Sequence, residues 1–317
     1  GEVIVFVIDD LNEAVTYLKS VSEIAEGRIS AEAASAFLGR VALYEGTWQK
    51  FRGNESRAKQ LLDISANASL ACMNSGKFQL FQPESLGTDA YRYMFILEDT
   101  KCNPAGLQKG ANSEYVIRRC YDITLKTSGQ NLTTTALANV WYGTAKLAEM
   151  YLCSDGLPVD KSKKFQGYST LRSEWENRDN RMYNTMMRPG DTFWNNSKNN
   201  SRIDWTGSEE EIARAKYRDF KPTGSGYMVY KWATERECAD RSESYDFPIL
   251  RYAEVLLNYA EAVYERDGKI SDEDLNLSLN LTRRRINKDM PALTNIFASS
   301  NGLDMREEIR RERTVEL

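Results

Sequence analysis

The segment Asp246–Glu265, DFPILRYAEVLLNYAEAVYE, restricts the fold more than any other stretch of this 317-residue chain. Leu250, Ala253, Leu256, Leu257, Ala260, Val263 and Tyr264 recur at the spacing that gathers apolar side chains on one face of an α-helix. Glu254, Asn258, Glu261 and Glu265 fall on the other face, which is expected to meet water. Pro248 suits the first turn of such a helix, where a missing N–H costs nothing. Asp246 is placed to cap it, Arg251 to anchor a neighbouring loop, and Gly268 to end it. A one-faced helix needs a partner. Ser271-Asp272-Glu273-Asp274 can cap one over Glu273–Asn287, with the acidic run complementing the helix dipole. The result is a helical hairpin.

The same design precedes it. The opening GEVIVFVIDDLNEA reads as structured interior. Leu11, Ala14, Val15, Leu18, Val21, Ser22 and Ala25 keep helical spacing, with Asp9 or Asp10 as a cap and Gly27 as a stop. A second helix begins at Ser30. Ala34, Phe37, Leu38, Val41, Tyr44 and Trp48 form its apolar stripe, and Glu32 and Glu45 its wet side. A third runs over Glu55–Asn74, with Ala58, Leu61, Leu62, Ser65, Ala68 and Cys72 inward and Gly76 closing it. Small residues such as Ala34 and Ala42 beside large ones let helices approach. Long helices joined by short turns predict antiparallel hairpins, each needing a neighbour to cover its apolar side. The two hairpins keep no strict period, so the internal repeat is degenerate.

The expected fold is therefore mainly α, with tetratricopeptide-type helical hairpins and a loop-rich irregular remainder. We read residues 1–317 as one domain. Residues 9–76 and 246–317 are its helical-repeat regions. Residues 77–245 are loop-rich, with a helix near 134–153 carried by Leu137, Trp141, Ala145, Ala148 and Leu152. Tyr91–Leu97 fits a helical turn or a strand, and Glu114–Ile117 a short strand.

Composition narrows function by what it lacks. Histidine is absent. This removes the commonest general base near neutral pH and the commonest zinc ligand, and with them any Ser-His-Asp or Cys-His site. Net charge is −4, and the basic run Arg283-Arg284-Arg285 is short. Nucleic-acid binding needs a concentrated basic face. Cys72, Cys102, Cys120, Cys153 and Cys238 are too scattered for a metal knuckle or a redox pair. Cys72 and Cys153 fall in apolar patterns, as buried thiols do.

Wording, more than periodicity, carries a resemblance. DFPILRYAEVLLNYAEAVYE, then LNLTRRRIN at Leu279–Asn287 and IRRERTVEL at Ile309–Leu317, closely resembles the SusD/RagB family of outer-membrane lipoproteins. Three further stretches match in family order. GRISAEAASAFLGRVALYEG at Gly27–Gly46 resembles the first helical repeat. MYLCSDGLPV at Met150–Val159 resembles a segment of the type YL-x-x-DG-x-P. ENRDNRMYNTMMRPG at Glu176–Gly190 resembles one of the type NRDPR…PG, with Asn180 standing where the family usually has Pro. The matches span most of the chain.

The resemblance implies a SusD-like α–α superhelix that binds oligosaccharides or polysaccharides, or in some members peptides, without catalysis. No cofactor is expected, and no residue is assigned as a metal ligand. It places the protein at the surface of the outer membrane, held by a lipid anchor that lies outside this chain, and partnered with a SusC-like TonB-dependent transporter. It also implies that this chain is a portion of a longer protein. Two rivals stand beside it: an α-helical glycoside hydrolase or lyase, and a tetratricopeptide-type scaffold for a peptide or protein.

Sugar recognition needs flat aromatic faces for C–H surfaces, and amides, carboxylates and guanidinium groups for hydroxyls. Residues 154–245 hold Trp175, Trp194, Trp205 and Trp232. Trp194, Asn195, Asn196, Arg202 and Trp205 put that chemistry in one stretch, set against the plainer reading that the tryptophans pack under their own loop. Tyr168, Tyr183 and Trp175 are further candidates. Trp48, Trp141 and Trp232 sit in regular patterns and are expected in the core. Arg178, Asp179 and Arg181 are read as a buried ion cluster that fixes a loop. Asp155-Gly156 is a turn; a calcium role for Asp155 or Asp160 stays open, although their spacing matches no EF-hand loop.

Overall fold

The computed structural model describes residues 1–129, 133, 141–169, 173–188, 191–194, 200–202, 227–237, 239 and 241–317. Helix α1 spans Glu2–Tyr17, α2 Ala31–Phe51 and α3 Glu55–Asn74. A short helix α4, Ala90–Phe95, leads to strand β1, Tyr115–Arg119. Helices α5, Ala145–Met150, and α6, Asn180–Thr185, precede a two-stranded ribbon of β2, Thr192–Trp194, and β3, Asn200–Arg202. Strand β4, Phe247–Arg251, runs directly into α7, Tyr252–Asp267. Helices α8, Asp272–Leu277, α9, Leu279–Arg283, α10, Asn295–Ser300, and α11, Met305–Glu316, complete the chain. The architecture is mainly helical, as expected. α1, α2, α3 and α7 pack in succession, and α11 covers α7.

The α2–α3 hairpin is close because its meeting face is small. The Ser35 hydroxyl donates to the Ala68 carbonyl at 2.9 Å, and the Ser65 hydroxyl to the Gly39 carbonyl at 2.8 Å. A Cβ on Gly46 would sit 3.0 Å from the Leu62 side chain. Ser30, read as the first residue of this helix, instead caps it through the Ala33 N–H, and α2 begins one residue later. Ala34, Leu38 and Ala42 are buried, whereas Tyr44 is 69% and Trp48 42% exposed. The buried stripe is thus rotated toward the alanines and glycines. Glu45, expected in water, is buried and accepts from Gln49 at 2.7 Å.

Helix α1 begins and ends earlier than its periodicity suggests. Leu18 turns extended, and the Ala31 N–H donates to the Lys19 carbonyl. Ser20 and Glu23 then form a capping box around a separate turn, Val21–Glu23. Ile8 is buried against Leu38 and Leu61, but Val3, Val5 and Phe6 are exposed, so the opening is not interior throughout.

Pro248 lies in β4 and not in a helix. A residue before proline avoids the helical region, so Phe247 stays extended and pairs with Arg119, while Arg251 pairs with Tyr115. The Tyr252 N–H donates to the Glu114 carbonyl at 2.8 Å where strand becomes helix. Asp246 does not cap α7. It accepts from Lys109 at 2.8 Å and from the Tyr121 N–H at 3.0 Å. Gly268 ends α7 in the left-handed region, as its position suggested.

The polar face of α7 is not wet. Glu254, Asn258 and Glu265 are buried. Arg40 donates to Glu254 at 2.6 Å, Arg313 to Asn258 at 2.8 Å and Lys50 to Glu265 at 2.9 Å. Helices on both sides supply the cations, so the face reads as polar yet lies between neighbours. Beyond α7, the helix expected over Glu273–Asn287 breaks at Ser278, whose hydroxyl donates to the Asp274 carbonyl.

The helix expected near 134–153 shrinks, among the described residues, to α5. Thr144 caps α5 through the Leu147 N–H. Before it, Tyr142 bridges Met228 and the Gly143 N–H donates to the Tyr227 carbonyl at 2.7 Å. Strand pairing holds Trp141 and Tyr142 extended, and Trp141 is 44% exposed instead of core. Residues 134–140 lie outside the described residues. Trp232 is partly buried and packs against the edge of the core, on Phe95, Tyr245 and the exposed Phe247.

A buried charge lattice fastens these parts together. Arg181 pairs with Asp179 at 2.7 Å, Glu312 at 2.5 Å and Glu316 at 3.1 Å. Arg285 pairs with Glu114 at 2.6 Å and Glu316 at 2.8 Å. Arg251 joins the same two acids. Burial alone would raise the Glu316 carboxyl, but Arg285, Arg251 and Arg181 hold it down to about 2.

Candidate functional site

Two tight turns build the site. In the first, the Cys153 N–H donates to the Leu157 carbonyl and the Gly156 N–H to the Cys153 carbonyl, both at 2.8 Å. Gly156 has φ +77, and a Cβ there would meet Arg283 Nη2 at 2.7 Å, so glycine is required. Asp155 holds this turn: it accepts from the Leu157 N–H at 3.2 Å and from the Ser162 hydroxyl at 2.7 Å. Its oxygens serve the loop.

The second turn is Asn177–Asp179. Asn177 adopts φ 57, uncommon for a residue with a side chain. Asp179 then caps α6 through the Arg181 N–H at 2.8 Å. Of the charged trio read from the sequence, Asp179 and Arg181 belong to the buried lattice. Arg178 does not. Its guanidinium donates to the Glu174, Ala148 and Tyr151 carbonyls at 2.7, 2.6 and 3.0 Å, tying the end of α5 to this turn.

Around Arg178 lies an aromatic layer. The Tyr183 hydroxyl accepts from the Arg178 N–H at 3.1 Å and donates to the Trp175 carbonyl. The rings of Tyr183 and Tyr227 stand 6.4 and 6.5 Å from that of Trp175. Phe165 lies under the Arg178 guanidinium and meets Tyr168 edge-on at 5.0 Å. Tyr168 is 57% exposed and donates to Glu149 at 3.2 Å. Tyr227 donates to Glu174 at 2.9 Å. Burial, with those carboxylates beside them, raises both phenols, so both remain O–H donors.

Asn177, Arg178 and Tyr183 also line a cleft of about 530 Å³. Its other walls are Gln82–Glu84, Gly87–Thr88 and Asn287–Asp289. Gln82, Glu84, Thr88, Lys288 and Asp289 are exposed at its edge. Amide, carboxylate, ammonium and hydroxyl groups beside a tyrosine ring suit a ligand rich in hydroxyls.

The structure brings Trp175, Tyr183 and Tyr168 into this one region. Trp175 is buried, covered by Tyr183 and Tyr227. Trp194 ends β2 opposite Asn200, and Arg202 ends β3 opposite Thr192. Asn195, Asn196 and Trp205 lie outside the described residues. Sequence reasoning missed Phe165, Asn177, Tyr227 and Thr88. An asparagine one step before Arg-Asp was a readable turn signal for Asn177, but no local pattern links Tyr227 or Thr88 to this place.

A second cleft, of about 810 Å³, is bordered by the ion pairs Lys109–Asp246 and Arg236–Glu98. At its edge Glu26, Cys120 and Asp246 form, among the described residues, a group with ligand atoms within 4.8 Å of one another. Arg118 and Lys109 already neutralise both acids. No described helix is long and apolar enough to cross a membrane.

Hairpins of helices joined to a loop-rich half that carries the clefts define an α–α superhelix of tetratricopeptide type. The model of the SusD family matches residues 105–317, and the chain belongs to that family. Solved structures share its fold. A SusD-like carbohydrate binding protein from Bacteroides fragilis aligns with TM-score 0.70 and 23% identity, covering 100% of this chain and 55% of that one. A protein crystallised with a xylogluco-oligosaccharide gives TM-score 0.60 and 19% identity over 99% of this chain and 53% of that one. Surface glycan-binding protein A from Bacteroides fluxus gives TM-score 0.51 and 18% identity over 99% and 56%. The chain thus spans about half the length of these structures. No curated protein matches it.

Proposed function

We propose that this protein binds oligosaccharides or polysaccharides at the cell surface without cleaving them, and passes them to a SusC-like TonB-dependent transporter in the outer membrane. A lipid anchor outside this chain would hold it there. The observation that carries the reading is the aromatic layer of Tyr168, Tyr183 and Tyr227 beside a cleft edged by amide, hydroxyl and carboxylate groups. Aromatic rings accept the apolar face of a sugar, and the edge groups accept its hydroxyls. Family membership points the same way, as do the carbohydrate-binding names of the structural relatives.

Within this reading Trp194 and Arg202 at the ends of the β2–β3 ribbon, with Asn195, Asn196 and Trp205, supply further contacts. Trp175 supports the layer from below. Binding on an affinity gel or glycan array, followed by reducing-end analysis, tests the proposal. Retention of a glycan with no new reducing ends is expected. Release of reducing ends would overturn it in favour of a hydrolase or lyase. A Trp194→Ala change that leaves affinity untouched would remove Trp194 from the site and leave the function standing.

A further inference from the structure

Arg178 is a cation turned inward. It is buried, and its Nη atoms donate to three main-chain carbonyls, those of Glu174, Ala148 and Tyr151. Two of these bonds decide where carboxylates stand. Ala148 directly precedes Glu149 in α5, and Glu174 is itself a glutamate. Arg178 therefore fixes the backbone at both acids while its own charge stays out of solvent.

The side chains of those acids reach the aromatic layer. Glu149 is exposed and accepts from the Tyr168 hydroxyl at 3.2 Å. Glu174 is half-buried and accepts from the Tyr227 hydroxyl at 2.9 Å. Each carboxylate also acts on the other's phenol, so the two acids flank the pair. Arg178 opposes them at Tyr168. Arg188, 4.9 Å from the centre of the Tyr183 ring, is paired with Asp191 at 3.1 Å.

Both phenol protons are thus spent on carboxylates. What this surface offers a ligand is acceptors: the oxygens of Glu149, Glu174 and Tyr168. A sugar hydroxyl can donate to them. A sugar carboxylate or sulfate cannot. It would bring a like charge beside two anions, with Arg178 already committed to carbonyls.

We propose that the Tyr168–Tyr227 layer selects uncharged, hydroxyl-bearing sugars and rejects uronate and sulfated ones, with Glu149 and Glu174 as the residues that discriminate. This rests on the glycan-binding reading of the site and adds the class of sugar to it.

Matched polymers test it on affinity gels. One set is a panel of neutral polysaccharides. The second is the same panel with part of the C6 hydroxymethyl groups oxidised to carboxylates. The third is the oxidised panel after methyl esterification, which removes the charge and keeps the added carbon–oxygen group. A neutral polymer that the protein retains should be held about tenfold more weakly once oxidised. Esterification should restore most of the retention, and raising the salt from about 0.05 to 0.5 M should narrow the gap. Glu149→Gln should narrow it further, and Glu149→Gln with Glu174→Gln more again, since glutamine still accepts from the phenols without the charge. Glu149 is exposed, so the single variant keeps the test valid should the double one fold poorly. Oxidised polymers held as tightly as neutral ones, or a gap unchanged in Glu149→Gln, would overturn the proposal and leave glycan binding standing. Retention of no polymer from any set would sink both.

Discussion

Arg251 Nη1 lies 2.9 Å from Glu316 Oε1, and Arg251 Nη2 donates to the Glu316 carbonyl, so the strand that launches α7 is fastened to the last turn of α11. Arg181 and Arg285 reach the same carboxylate from two other directions. The lattice is fully buried, and removing one member strands its partners without water. Arg181→Met should destabilise the chain by about 3–5 kcal/mol. Urea unfolding measures this, and a loss under 1 kcal/mol would mean that the remaining groups relax to satisfy one another.

The same carboxylate sets an acid limit. The folded value of Glu316 is near 2 against an ordinary 4.5, so its contribution is complete above the unfolded value and is lost as pH falls toward 2. The stability gap between the unaltered protein and Glu316→Gln should therefore be constant near neutrality and shrink below pH 4.5. Paired urea titrations at pH 7, 4 and 3 check this. A gap that stays constant to pH 3 would contradict it.

Helix proximity gives a steric prediction. Valine at position 46 would drive its Cβ and methyl groups into Leu62 across the α2–α3 contact. Overpacking of this kind costs roughly 1–3 kcal/mol. Gly46→Val should lower the thermal midpoint, whereas Gly53→Val, at an open turn, strains only its own positive φ. Equal midpoints for the parent and Gly46→Val would mean that the helices separate without cost.

Local pattern reached some of this and missed the rest for identifiable reasons. The limits of α3, the start of α2 near Ser30 and the Gly268 stop were legible because each depends on neighbours within a turn. The Asp179–Arg181 pairing was legible as a cluster, but its partners Glu312 and Glu316 were not, since nothing near the turn names them. Glu254 and Glu265 read as solvated because a charged face looks the same whether water or arginines oppose it. Pro248 was assigned to a helix start, yet pairing with β1 decided for a strand. Tyr168, Trp175 and Tyr183, proposed from residue type, fall in one aromatic region. Tyr227 arrives from far along the chain and leaves no local trace.

Tyr168 offers the cleanest test of the aromatic layer. It is mostly exposed, so Tyr168→Ala should change stability by no more than about 0.5 kcal/mol. Loss of its ring from a bound sugar should weaken affinity by about tenfold, in line with ~0.5–1.5 kcal/mol for an aromatic contact beyond its buried area. Calorimetry with a glycan that the affinity gel retains would measure both changes. Unchanged affinity would place the sugar elsewhere on the protein.

The charge lattice also joins parts of the chain that are far apart in sequence. Glu316 stands 135 residues from Arg181 and 65 from Arg251. Helices α2 and α3 can find each other through a three-residue connection while later segments are still unformed. Glu114 is already shared by Arg251 and Arg285, and Asp179 pairs with Arg181, but the carboxylate common to all three arginines comes from α11. The contacts of the α2–α3 hairpin are therefore local in the chain, whereas the lattice is complete only when α11 brings Glu312 to Arg181 and Glu316 to all three arginines.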